Sequence, residues 1–156
     1  MIIRPVTDRD EAFIRALSRR VFATYSRNPA RLVGSMLVED GAFAVVAELG
    51  GEAVGFAVVA FEELAREFGP WKRPTVARLN AIAVHPDAHG RGIGRRLLRR
   101  AEEGAKARGA VTMTLNTATT NRRARRLFEP AGYLSVLTLP NNYARGQDAV
   151  AMFKPL

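Results

Sequence analysis

The chain has 156 residues, 47% hydrophobic and 25% charged, a length and balance suited to one globular domain with a sizeable core. It contains no cysteine, which excludes a disulfide framework, thiol catalysis and a cysteine metal site. Its net charge of +9, from 24 Lys plus Arg against 15 Asp plus Glu, suits an anionic partner, either nucleic acid or a phosphate-bearing ligand.

MIIRPV at the start reads as a strand, and Thr7 or Asp8 caps a helix whose Phe13, Leu17 and Val21 recur at helical spacing. The opening residues carry no apolar core of signal-peptide length. No later run approaches a membrane span, so a cytoplasmic protein is expected. After the turn around SRNPA a short helix is expected over 30–38. FAVVAELGGEAVGFAVVAF then reads as a hairpin joined at Gly50 and Gly51. Residues 62–74 form a longer connection with one helical turn, exposing Phe68 and Trp71. VARLNAIAV, 76–84, is almost continuously apolar after Arg78, as in a strand covered on both faces. Pro86 ends it, and a loop must precede the next helix.

In that helix Ile93, Leu97, Leu98, Ala101 and Ala105 share one face, and Gly109 ends it. VTMTLN, 111–116, alternates as a strand. Asn121 caps a helix with Ala124, Leu127 and Phe128 as its buried stripe. YLSVLTL and DAVAMFKPL close the chain as two antiparallel strands across PNNYARG. The order βααβββαβαββ describes a single α/β domain over 1–156 with a mixed sheet of about seven strands.

The corner HPDAHGRGIGRRLLRR, 85–100, sets Gly90, Gly92 and Gly94 at alternate positions before an arginine-rich helix. Ten arginines lie between Arg91 and Arg126, which focuses the positive field there. The corner is neither a GxxxxGK[ST] phosphate loop nor a GxGxxG fingerprint, since the spacing differs and the loop after Val84 is too long. The physics of anion binding still applies: small residues let backbone N–H groups converge, and the helix N-terminus adds partial positive charge.

LNAIAVHP followed by HGRGIGRRLL, with NRRARRLFEPAGY downstream, resembles the acetyl-coenzyme A signature of the GNAT N-acetyltransferase superfamily. Gly92 and Gly94 match the signature, while His89 stands where the family carries Gln or Arg. The resemblance implies that the strand 76–84 and the strand 111–116 splay apart around the thioester. Backbone groups of Ile82, Ala83 and Val84 would meet the pantetheine arm, and His89, Gly90, Arg91, Gly92, Ile93, Gly94 and Arg95 would wrap the pyrophosphate. Asn121 would contact acetyl-coenzyme A beside the next helix, with Phe128 on the same helix. No metal is implied.

NNYARGQDAVAM is similar to the ending of the N-terminal protein acetyltransferases, including those acting on ribosomal-protein alanine: Tyr143, Gly146, Asp148, Ala149 and Met152 match. Turn and core roles for Gly146, Asp148 and Met152 account for part of that match equally well. Many relatives place a thiolate-protonating tyrosine where this chain has Phe128. Tyr143 and Tyr133 are therefore the candidate catalytic tyrosines, with Tyr143 preferred. For the general base, Arg78 and Asn80 stand where an acid would be sought, which leaves Glu62 and Glu63 as weak candidates.

The expectation is an enzyme that acetylates a primary amine by direct attack in a ternary complex. The acceptor is a peptide N-terminus or a small amine such as an aminoglycoside, polyamine or amino acid. A non-catalytic acyl-coenzyme A-binding domain is the alternative. No specific nucleic acid or membrane partner is expected, and the chain is a monomer or homodimer.

Overall fold

The computed structural model describes every residue except Phe68. Its elements are β1 (Ile2–Pro5), α1 (Glu11–Phe22), α2 (Pro29–Leu37), β2 (Phe43–Leu49), β3 (Glu52–Glu63), β4 (Thr75–Val84), α3 (Ile93–Ala107), β5 (Ala110–Ala118), α4 (Arg122–Phe128), β6 (Leu134–Leu139) and β7 (Ala149–Pro155). The order matches the sequence reading. Short 3-10 turns at Asp8–Asp10 and Pro86–Ala88 precede α1 and the glycine corner. Among the described residues of 64–74 the expected helical turn is absent; Trp71 is exposed, and Phe68 lies outside the described residues.

Local chemistry sets the boundaries. Asn28 Oδ1 accepts the Arg31 amide at 3.2 Å, with Pro29 opening α2. Gly50 and Gly51 both take positive φ, 61° and 83°, as a two-residue hairpin turn of this hand requires. Before α1, Asp10 is buried and accepts from the Thr7 amide and from Arg4, whose guanidinium also reaches Glu48 on β2. Arg4 thereby ties the first two strands to the start of α1.

The seven strands form one sheet in the order β1-β2-β3-β4-β5-β7-β6. Every neighbouring pair is antiparallel except β4 with β5. One face carries α3, whose Leu97, Leu98, Ala101 and Ala105 pack on Val45, Ala57, Val59, Ala77, Met113 and Leu115. The other face carries α1 and α2, whose Ile14, Leu17 and Val33 meet Val46, Phe56, Val58, Ala81 and Ala83. Among the described residues, no helix is long and apolar enough to cross a membrane.

Candidate active site

Strand β4 is bonded to β3 along its whole length, from Glu63↔Thr75 to Gly55↔Val84. Its parallel pairing with β5 stops at Arg78↔Thr114, although β4 continues to Val84 and β5 to Ala118. The sheet is therefore open between the two strands beyond that pair. Thr114 Oγ1 donates to the Ala77 carbonyl at 3.4 Å and holds the vertex shut.

A β-bulge begins the open stretch. Val58 faces Ala81 while Val59 faces Leu79, so Asn80 is the extra residue. The bulge reverses the strand's alternation: Ala77 and Leu79 belong to the α3 face, and Ala81 and Ala83 to the α1/α2 face. The His85 amide donates to the carbonyl of Val54, its opposite residue, at 2.7 Å. Since an antiparallel ladder alternates, Ala83 and Ala81 are in phase with His85 and turn their main-chain groups to β3. Ile82 and Val84 turn theirs to the opening. Of the three residues expected to line this edge, Ala83 therefore faces the wrong way.

The glycine corner follows at the same end. Gly90 and Gly92 have φ of 78° and 73°, and Gly92 caps α3 in the left-handed conformation. A Cβ on either would meet no atom within 4 Å, so the chain's own packing does not exclude a side chain. Gly94, inside the first turn of α3, would meet only Leu127 and Val84 side chains at ordinary contact distance, 3.6 Å and beyond. A glycine there costs about 1 kcal/mol of helix propensity without relieving any clash within the chain.

The first internal bond of α3 runs from the Arg96 amide to the Gly92 carbonyl, 3.1 Å. Among the described residues, the amides of Arg91 to Arg95 bond to no carbonyl and stand ready for an anion beside exposed Arg91, Arg95 and Arg96. His89 does not point outward: its Nε2 lies 2.9 Å from the Val84 carbonyl and ties the loop back to β4. The residues present thus fit an elongated ligand with a phosphate at one end and hydrogen-bonding groups along its arm.

On the α1/α2 face, two loops close together over the open end. Arg20 of α1 reaches His85 at 3.4 Å, beside the end of β4. A few residues on, Gln147 donates to the Thr24 carbonyl at 2.7 Å, the Ala144 amide donates to the Tyr25 carbonyl at 3.3 Å, and the rings of Tyr25 and Tyr143 lie 5.3 Å apart. The loop carrying Tyr143 is anchored to the end of β5 through the Thr119 amide and the Asp148 carbonyl, 3.0 Å. Burial raises the Tyr143 hydroxyl above its ordinary pKa, with Tyr25 adding to the shift, so it stays protonated at neutral pH and is a donor. Among the described residues it has no hydrogen-bond partner.

Other expected residues serve the fold. Tyr133 is 2% exposed, and its hydroxyl donates to Glu102 Oε1 at 3.0 Å. Burial first, and the Glu102 charge second, push its pKa far up. Phe128 is 3% exposed and meets the Tyr133 ring edge-on at 5.6 Å, inside the α3-side core. Both side chains are buried in that core. Asn121 caps α4, accepting the Ala124 amide at 3.1 Å, and Ile93 offers its amide while its side chain is core. In the tail, Asp148 accepts the Asn141 amide, Gly146 takes φ 84° and Met152 is buried, so these matches have structural roles.

Glu62 and Glu63 sit opposite Val76 and Thr75, at the closed end of the seam, and Glu63 pairs with Arg73. The carboxylate that does reach the vertex is Glu39, from the loop after α2. Its Oε1 lies 3.3 Å from Arg78 Nη2, and its Oε2 accepts from Asn80 Nδ2 at 3.3 Å. Nothing in the local sequence around Glu39 marks it, since the contacts bridge 39 and 41 residues. Among the described residues no group of three or more His, Asp or Glu forms a metal cage.

The model of the acetyltransferase (GNAT) family matches residues 10–133. The chain is 37% identical over 89 residues to the uncharacterized N-acetyltransferase YhfO of Bacillus subtilis (strain 168), a match covering 57% of this chain and 56% of that protein. It is 36% identical over 83 residues to the ribosomal protein bS18-alanine N-acetyltransferase of Salmonella typhimurium, covering 51% of this chain and 56% of that one. The chain thus spans little more than half the length of these two curated relatives. In fold it is similar to NAA60 of Arabidopsis thaliana, solved in complex with acetyl-CoA, with a TM-score of 0.84 at 16% identity over 99% of this chain and 98% of that one.

Proposed function

The chain belongs to the acetyltransferase (GNAT) family, and from that premise we propose that it transfers acetyl from acetyl-coenzyme A to a primary amine, the N-terminus of a protein or peptide. The observation that carries this reading is the meeting of an unpaired β4 edge with the free amides at the start of α3. Arg91 to Arg95 take the pyrophosphate, and the main-chain groups of Ile82 with the amide of Val84 take the pantetheine arm as an added strand would. Acetyl-coenzyme A supplies an activated thioester. A main-chain amide at the vertex end of the open edge, beyond the pantetheine arm, donates to its carbonyl oxygen as negative charge develops there.

In the reaction the amine nitrogen bonds to the carbonyl carbon, the C–S bond breaks and the electron pair leaves on sulfur. The ammonium form gives up two protons, of which one ends on sulfur and one passes to the medium. Tyr143, a protonated phenol at neutral pH, donates a hydrogen bond on the acceptor side. The peptide reading is supported by the clasp of Tyr25, Tyr143, Ala144 and Gln147, which joins the loop after α1 to the loop before β7. It is also in keeping with the Salmonella relative, named for an alanine N-terminus.

Incubation with acetyl-coenzyme A and a panel of short peptides and small amines, read by mass spectrometry, tests the proposal. One added acetyl group on the α-amine of free peptides, and none on N-blocked controls, is expected. Transfer confined to small amines would remove the peptide acceptor. Tight binding of acetyl-coenzyme A with no transfer at all would make the chain a binding domain.

A further inference from the structure

Acetylation needs a group to hold the acceptor's ammonium and take its proton, and neither β4 nor β5 supplies an acid at the vertex of the opening: the residues there are Arg78, Asn80, Thr114 and Asn116. Resting on the transfer reading above, we propose that Glu39 is the catalytic carboxylate that receives the acceptor amine and its proton, with Asn80 and Arg78 as its positioning residues.

Three side chains from two separate parts of the chain form a closed ring. Arg78 Nε donates to Asn80 Oδ1 at 2.8 Å, Asn80 Nδ2 donates to Glu39 Oε2 at 3.3 Å, and Arg78 Nη2 donates to Glu39 Oε1 at 3.3 Å. With one bond to each carboxylate oxygen, the remaining lone-pair positions of Glu39 are open to a further donor.

The ring's place is informative. Arg78 is the last β4 residue paired to β5, and Asn80 is the bulged residue that begins the free edge. From Asn80 to Val84 that edge is roughly 13 Å long, at about 3.3 Å per residue. The ring and the phosphate-binding corner therefore stand at opposite ends of the edge. Ala77 and Leu79 alternate onto the α3 face, which puts Arg78 and Asn80 on the α1/α2 face, where the aromatic clasp lies.

Pairing Glu39 with Arg78 has a second consequence. Arg78 and Asn80 hold the carboxylate where an incoming ammonium can meet it, and the guanidinium disfavours a second positive charge lingering beside it. Of the two protons the ammonium gives up, one ends on the departing sulfur and the other passes to Glu39 and on to water. A surface ion pair made only for stability would be worth about 0–1 kcal/mol, and both partners here are substantially exposed. Removing it leaves the fold intact, which makes the test clean.

Steady-state kinetics of the parent, Glu39→Gln and Glu39→Asp, with the best peptide acceptor and with acetyl-coenzyme A varied separately, decides the matter. The expected result is a fall of tenfold or more in acceptor kcat/KM for Glu39→Gln and partial recovery in Glu39→Asp. Acetyl-coenzyme A affinity, by calorimetry, stays within twofold, and the melting temperature is unchanged. Parental acceptor kinetics in Glu39→Gln would overturn the assignment while leaving the transfer reading intact. A loss that tracks acetyl-coenzyme A affinity would also overturn it, by placing Glu39's effect on the wrong substrate. A parent that binds acetyl-coenzyme A but acetylates no amine would remove both.

Discussion

From Thr75 to Arg78, strand β4 is bonded on both sides; from Ala81 to Val84 it keeps β3 and loses β5. Side-chain burial differs little between the halves, since Ala77, Leu79, Ala81 and Ala83 are all buried. The difference lies in the main chain. The closed half spends its edge on the sheet, whereas the open half presents Ile82 and Val84 to whatever enters. The glycines divide the same way. A Cβ on Gly104 would stand 2.6 Å from the Phe43 ring, so internal packing requires that glycine, while Gly92 faces open space. A site can thus be made by withholding one ladder's hydrogen bonds, with few polar side chains added.

The largest effect that would break this comparison is on stability in the closed half. Met113 is fully buried, and Met113→Ala should cost about 2–5 kcal/mol in denaturant unfolding while leaving acetyl-coenzyme A affinity within threefold. A cost below about 1 kcal/mol would mean that the closed half does not carry the core. The tyrosines give the next contrast. Tyr143→Phe should lower acceptor kcat/KM by tenfold, roughly 1.4 kcal/mol of barrier, at parental melting temperature. Parental kinetics would reduce Tyr143 to a packing residue. Tyr133→Phe gives the smallest change: about 1 kcal/mol of stability, because Lys154 still pairs with Glu102 at 2.9 Å, and no change in turnover. A large kinetic loss there would place the working hydroxyl at the Phe128 end of the fold.

Periodicity, caps and glycine turns carried the element order, because these are local signals: Gly50–Gly51, Gly109 and Asn121 each act where they stand. The glycine corner was legible for the same reason. What the sequence hid is long-range. That Ala83 faces β3 depends on a one-residue bulge at Asn80, which reverses the alternation and leaves no mark in an apolar run. Tyr133 could not be separated from Tyr143 without Glu102, 31 residues away, that takes its hydroxyl. Glu39 meets Asn80 across 41 residues and reads locally as part of an acidic loop.

If the open edge and the α3 N-terminus form one binding site for acetyl-coenzyme A, a matched pair of glycine variants shows it most directly. Gly92 and Gly50 both hold positive φ with no atom near a built Cβ, so valine at either position imposes similar strain, roughly 1–2 kcal/mol. Only Gly92 lies at the proposed cradle. Calorimetric titration with acetyl-coenzyme A should give a Kd raised tenfold or more in Gly92→Val and within twofold of the parent in Gly50→Val. Equal affinities in the two variants would contradict the account, since the free amides of α3 would then not be where the phosphate binds.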